Sequence, residues 1–336
     1  MKRQSLVVLF AALGLLAACT PEAPVAEKVY FGIGAQAKYA LKGTAPLTTV
    51  QTDVTFVGVL FDADGKVLDA NLDVMQVKAV ATDATTSSLK AGVAVNADTD
   101  TKSKWELGDD YGMGETATKG EWYVQADAWE NYVVGKTVVE VAAGLEDAAL
   151  LASVSIGTED FSAVLTEAWE HRAGFITTEV ANINVGIGMY GLHEAKKDSV
   201  SLAGAAFVGD VVVASKIDVF QVPYVITNVG TEEAPSYALT VNETSKQTDV
   251  ANTAIKSKLD LGPNYGMGAT ATQGEWNIQA AKLEAFVLDQ TVAAAFANVT
   301  ETGEFTDPTI AGVSIGVEDF KLVYTEAYNG STSVTR

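Results

Sequence analysis

Two stretches of this chain place glycine, aromatic and methionine residues where they could hold a ligand. Tyr111-Gly112-Met113-Gly114 leads through a short polar run to Gly120-Glu121-Trp122, and Tyr265-Gly266-Met267-Gly268 leads in the same way to Gly274-Glu275-Trp276. Glycine permits backbone angles and close approaches closed to other residues. Backbone amides of such a loop, with a helix N-terminus beyond, suit an anionic group, and Tyr, Met and Trp offer flat apolar walls. With Gln125 and Gln279, three residues after each tryptophan, the candidate ligand set is Tyr111, Gly112, Met113, Gly114, Trp122, Gln125, Tyr265, Gly266, Met267, Gly268, Trp276 and Gln279. The competing role is mechanical, with Tyr111, Met113 and Trp122 stapling the loop to a core. Trp122 lies on an apolar helical stripe, so the core is its expected place, and for the loop as a whole structure ranks ahead of ligand binding.

Enzyme chemistry has little else to stand on. The chain has two histidines. Neither His171 nor His193 has a counterpart in the other half of the chain, and each is expected to face solvent. No GxSxG, P-loop or HExxH pattern occurs. Asp109-Asp110 is replaced by Pro263-Asn264 in the second stretch, so a shared cation site cannot rest on it. Gly32-x-Gly34 and Gly186-x-Gly188 lack the third glycine of a dinucleotide fingerprint and read as close backbone packing. The expectation is a non-enzymatic protein with no catalytic residue and no metal.

The chain begins with Lys2 and Arg3, an apolar run from Leu6 to Leu16, and Leu16-Ala17-Ala18-Cys19. That run is shorter than the roughly 20 residues of a membrane span and reads as a secretory signal, residues 1–18. The last four residues resemble a bacterial lipobox, which implies lipidation of Cys19, attachment to a membrane and an extracytoplasmic location. Residues 19–28 read as the lipidated cysteine and a tether. Cys19 is the sole cysteine, so no intrachain disulfide or thiolate zinc site can form. Loss of Lys2 and Arg3 makes the formal charge of −21 two units more negative. That balance excludes a nucleic-acid partner, since such affinity comes from cationic contacts to phosphate.

The elements needed to position these residues are written twice. Asp73-Val74-Met75-Gln76-Val77 answers Asp218-Val219-Phe220-Gln221-Val222, Lys102-Ser103-Lys104 answers Lys256-Ser257-Lys258, and Ser155-Ile156-Gly157 answers Ser314-Ile315-Gly316. Two repeat domains are expected, at 29–178 and 179–336. Each opens with strands. Alternation of Leu68, Ala70, Leu72 and Val74 with Asp69, Asn71 and Asp73 predicts a strand with one wet face, after a turn at Asp64-Gly65. Helices follow, with Trp122, Ala126, Trp129 and Val133 on one stripe and Phe161, Val164, Leu165 and Ala168 on another. The predicted class is α+β, two tandem homologous domains, each an antiparallel sheet with helices on one face.

DV[MF]QV, KSK, YGMG, GEWxxQA and VSIGxEDF together resemble a family of Firmicute-type surface lipoproteins, similar in turn to extracytoplasmic FMN-binding domains. The resemblance covers nearly the whole chain beyond the signal. It implies a binding protein that presents FMN and serves extracellular electron transfer. Flavin-bearing relatives join FMN to a Thr or Ser ahead of the last helix, a place that Ser155 and Ser314 would occupy, although the [ST]-G-A tripeptide is missing here. Without a flavin, the same chain would be a structural or adhesive surface protein.

Overall fold

The computed structural model describes residues 25–44, 48–89, 95–96, 100–299 and 312–332. Residues 1–18, Cys19 and the start of the tether lie outside the described residues. In the first half, β1 (Glu27–Lys42), β2 (Thr49–Phe61) and β3 (Val67–Ala81) form an antiparallel meander, so the last two residues expected in the tether already belong to a strand. It is edged by β4 (Ser87–Leu89), followed by a small hairpin of β5 (Val95–Asn96) and β6 (Asp100–Thr101). Helices α1 (Lys104–Leu107), α2 (Trp122–Val133), α3 (Val138–Ala143), α4 (Ala148–Ser153) and α5 (Glu159–Glu170) come next. Strand β7 (Ala173–Thr177) then returns to pair with β1.

The second half repeats the plan. Strands β8 (Ile183–Glu194), β9 (Lys197–Val208) and β10 (Val211–Asn228) form the meander, with β11 (Tyr237–Val241) at its edge. The small hairpin is β12 (Thr248–Asp249) and β13 (Ala254–Ile255). Helices α6 (Lys258–Leu261), α7 (Trp276–Val287), α8 (Val292–Ala295) and α9 (Glu318–Thr332) complete it. The class is α+β.

Local sequence accounts for these elements. At the β2–β3 turn Gly65 takes φ +81°, and the Asp62 carboxylate accepts from the amides of Asp64 at 2.9 Å and Lys66 at 2.8 Å. Ser103 and Ser257 are helix N-caps with complete capping boxes, closed by Glu106 and Asp260. Every residue of the Trp122, Ala126, Trp129, Val133 stripe is buried, as is its partner stripe on α5.

The two halves share one of their cores. Their sheets pack face to face, and Phe31, Ile33 and Phe56 share one apolar core with Ile187, Val200 and Phe220. The outer face of each sheet carries its own helices, which form two further cores. The small hairpins are exchanged between halves: β6 of the first pairs with β8 of the second, and β13 of the second pairs with β1 of the first. This sheet-on-sheet packing corrects the expected wet face of β3. Asn71 and Asp73 are each only 4% exposed, because the second half covers the face that alternation marked as wet.

Four glycines, Gly32 and Gly34 on β1 and Gly186 and Gly188 on β8, set the layer spacing. Gly34 on β1 and its equivalent Gly188 on β8 run beneath the backbone carbonyls of Val164 on α5 and Val323 on α9, where a Cβ would overlap the carbonyl oxygen. The helix backbones therefore rest directly on the strands, and this fixes where the loops leading into α5 and α9 arrive.

Candidate ligand-binding site

The duplicated loop is built to satisfy itself. Gly112 and Gly266 both take φ +75°, in the left-handed region, and each ends a short 3₁₀ turn. The amides expected to receive an external anion meet the chain's own carboxylates. Glu121 accepts from Met113 N at 3.0 Å and Gly114 N at 2.6 Å, and Glu275 accepts from Met267 N at 3.0 Å. Gly268 packs against the same Glu275 carboxylate.

Gln125 and Gln279 are also latches, each wholly buried. Gln125 donates to Gly120 O at 3.0 Å and accepts from Ser155 N at 2.7 Å, Ser155 Oγ at 3.1 Å and Ile156 N at 3.2 Å. Gln279 repeats the set with Gly274 O, Ser314 and Ile315. Each glutamine thus ties the first long helix of its half to the loop before the last. Ser155 and Ser314 are exposed in those loops, with hydroxyls donating to the glutamines.

Beside each loop sits a cation that the sequence reading used only as a landmark. Lys104 Nζ lies 5.0 Å from the Tyr111 ring centre and 5.3 Å from that of Trp122. Lys258 Nζ lies 5.1 Å from Tyr265 and 5.3 Å from Trp276. These are cation–π distances. Trp122 and Trp276 are each 2% exposed, so they belong to the core while offering part of the ring to the lysine. Burial pushes both ammonium groups down, Lys258 to about 8. Lys197 depresses Lys258 further; among the charges acting the other way, Asp53 comes first for Lys104, and Asp218, ahead of Asp319 and Glu194, for Lys258.

In the second half this lysine opens onto a cavity of about 310 Å³, whose walls include Leu192, Ser199, Met267, Trp276, Asp319 and Phe320. Lys258, Met267 and Trp276 therefore meet at one cavity, while Tyr265 stands behind the lysine. Gly266, Gly268 and Gln279 hold the loop around it without lining it. Asp319, whose carboxyl is raised by burial, accepts from Ser201 Oγ at 3.3 Å. At the matching place in the first half, Lys38 forms an ion pair with Asp160.

The α1 and α6 lysines are held in place by buried aspartates. Asp73 accepts from Val74 N at 2.6 Å and Trp105 N at 3.2 Å; Asp218 accepts from Val219 N at 2.7 Å and Leu259 N at 3.1 Å. Burial raises each carboxyl to about 7.

The histidines part company. His171 follows α5 with an exposed side chain. His193, expected in solvent, is instead a clamp with a side chain only 12% exposed. Its Nδ1 meets Asp198 Oδ1 at 2.6 Å and its Nε2 meets the Ser87 carbonyl at 2.6 Å, which ties β8 to the first half's β4. Both ring nitrogens are engaged, so it has no nitrogen left for general-base work. Among the described residues, no group of three His, Cys, Asp or Glu is arranged to hold a metal ion.

No protein-family model matches the chain, and no solved structure matches it. The chain is similar to a chlorophenol reductase of Desulfitobacterium hafniense, 33% identical over 126 residues. The match takes in 35% of this chain and 38% of the reductase, so this chain spans well under half of that relative's length.

Proposed function

We propose that this chain is a lipid-anchored, extracytoplasmic binding protein that seats a small molecule in the cavity of its second half. One observation carries the reading. A half-buried, partly desolvated lysine, Lys258, is held by Tyr265 and Trp276 at the edge of a cavity, with no carboxylate in ion-pair contact among the described residues. A buried cation is costly without a direct partner; Asp218, Asp319 and Glu194 act on Lys258 only from beyond ion-pair distance, and a ligand bringing an anionic group and an apolar body supplies a direct one. A volume of about 310 Å³ lies at the small end of ligand sites.

The relationship to a reductase favours a redox-linked ligand, and FMN is the first to try. Its ring system would lie toward Trp276 and Met267, with negative charge toward Lys258; Ser314, next to the cavity residues Ile315 and Gly316, is the hydroxyl that the family resemblance marks for covalent attachment. The shared segment also connects the chain with enzymes. Our reading gives this chain the binding step and leaves reduction to a partner reductase.

The test is the intact mass and visible absorbance of the mature chain after co-production with a flavin transferase and FMN, with a tryptophan-fluorescence titration beside it. Covalent flavin mass lost in Ser314→Ala, or reversible quenching lost in Lys258→Met, supports the reading. A colourless chain of unmodified mass that neither FMN nor any small molecule of a metabolite panel quenches would leave a structural surface protein.

A further inference from the structure

The two halves differ at the place where the cavity lies. On β1 and β2, Lys38 faces Asp53 across the ladder; at the equivalent positions on β8 and β9, Leu192 faces Ser199. In the first half the Lys38 ammonium is paired with Asp160 at the start of α5, and the Asp53 carboxylate is the charge that most supports the Lys104 ammonium. The second half keeps both outer charges, Asp319 for Asp160 and Lys258 for Lys104; Leu192 and Ser199 carry none, and the Glu194 carboxylate acts on Lys258 as Asp53 does on Lys104. Asp319 and Lys258 both line the cavity, and neither makes an ion pair within 4.0 Å among the described residues. The remaining carboxylate there, Glu194, is held by Lys197 at 3.2 Å and Ser199 at 3.1 Å.

We infer that the second-half cavity binds a free α-amino acid with an apolar side chain, its ammonium on Asp319, its carboxylate on Lys258 and its side chain against Leu192, Trp276 and Phe320. This rests on the reading above that the cavity binds a small molecule, and puts an amino acid there in place of FMN. The ligand gives Asp319 the ammonium that Lys38 gives Asp160 in the first half, and gives Lys258 a direct carboxylate partner beside the longer-range charge of Glu194. Opposite charges spaced across a cavity with an apolar wall select for a zwitterion, because a ligand lacking either charge leaves the other protein group without its partner. It follows that one molecule binds per chain, since the first half fills its own copy of the place.

A thermal-shift screen of the mature chain against the twenty L-amino acids, then calorimetry with the strongest, tests this. The expected result is a shift with one or more apolar amino acids, one-to-one stoichiometry, and affinity at least about tenfold weaker for both the decarboxylated amine and the deaminated acid. Leu192→Lys with Ser199→Asp should abolish binding while the chain stays folded, and Lys38→Leu with Asp53→Ser should raise the stoichiometry to two. No shift with any amino acid overturns the inference, as does an amine or acid analogue that binds as tightly as the amino acid. FMN quenching of Trp276 in a chain that ignores amino acids would overturn the zwitterion and leave the binding protein standing. Silence toward FMN and every other probe would remove both.

Discussion

Glu275 and Gln279 show how a motif can look like a binding loop and act as a brace. Their acceptors are aimed at the backbone amides of Met267, Ser314 and Ile315, groups that would otherwise lack partners inside the loop. Replacing Gln279 with Leu should therefore cost about 2 kcal/mol, since two amides lose their acceptor. Urea titration should show a lower midpoint with an unchanged slope, and Gln125→Leu should do the same. A loss under about 0.5 kcal/mol in both would mean that water replaces the glutamine and the latch is dispensable. The burial of Trp122 was legible because a period of i, i+4, i+7 needs only the chain itself. The role of Lys258 was not. Whether a lysine meets solvent or two aromatic rings depends on residues remote in sequence, and the K-S-K landmark carried only position.

At the scale of elements, the contact of α5 with β1 and of α9 with β8 has no room for a side chain. Gly188→Ala and Gly34→Ala place a methyl group inside a helix carbonyl, and each is expected to destabilise by about 4 kcal/mol or more, through forced separation of helix and sheet. Gly209 supplies the contrast. It sits at the β9–β10 turn with φ +56°, and a methyl group there would meet nothing within 4 Å, so Gly209→Ala should cost only about 1 kcal/mol. Circular-dichroism melts would separate the two classes; equal losses would mean that strand conformation, not helix contact, sets the need for glycine. Strand β3, the turn before it and the amphipathic helices α2 and α5 were visible from periodicity and turn chemistry. The wet face of β3 was misjudged for a physical reason: Asp69, Asn71 and Asp73 mark a face as polar, and hydrogen bonds such as Val185 N to Asp69 Oδ2 at 2.9 Å let the second half cover it.

At the scale of the whole molecule, the seam between halves stores protons. Glu326 on α9 faces Glu106 and Asp73 of the first half, and Glu167 on α5 faces Asp260 and Asp218 of the second. Each glutamate also accepts from a strand amide, Met189 N at 2.9 Å and Ala35 N at 3.1 Å. Burial, with these neighbouring carboxylates, raises Glu167 from 4.5 to about 8 and Glu326 from 4.5 to about 9. The folded chain thus holds protons that the unfolded chain releases above about pH 4.5, so these groups lower stability as pH rises from there to about 9. Urea midpoints should fall between about pH 6 and about pH 9, and Glu167→Gln with Glu326→Gln, which mimics the protonated pair, should flatten that fall. An unchanged slope in the double variant would assign the alkaline loss to other groups. His193 adds a contribution of the same direction: its raised affinity for a proton, through Asp198 and the Ser87 carbonyl, stabilises below its unfolded value and is lost as pH climbs through the folded one.

By itself, the sequence determined the mixed class, the order of strands before helices, and the burial of Trp122, because side-chain periodicity and turn chemistry act within a few residues of one another. Tertiary structure alone decided three things. It joined the halves through one core and exchanged hairpins, turned Glu121, Glu275, Gln125 and Gln279 into internal partners, and opened a cavity beside Lys258. Each depends on which groups meet across long stretches of chain. The identity of residues 38 and 192 was open to view from the start, but only the packing of β1 on α5 and of β8 on α9 shows that one brings an ammonium to an aspartate and the other leaves its aspartate without an ion pair among the described residues.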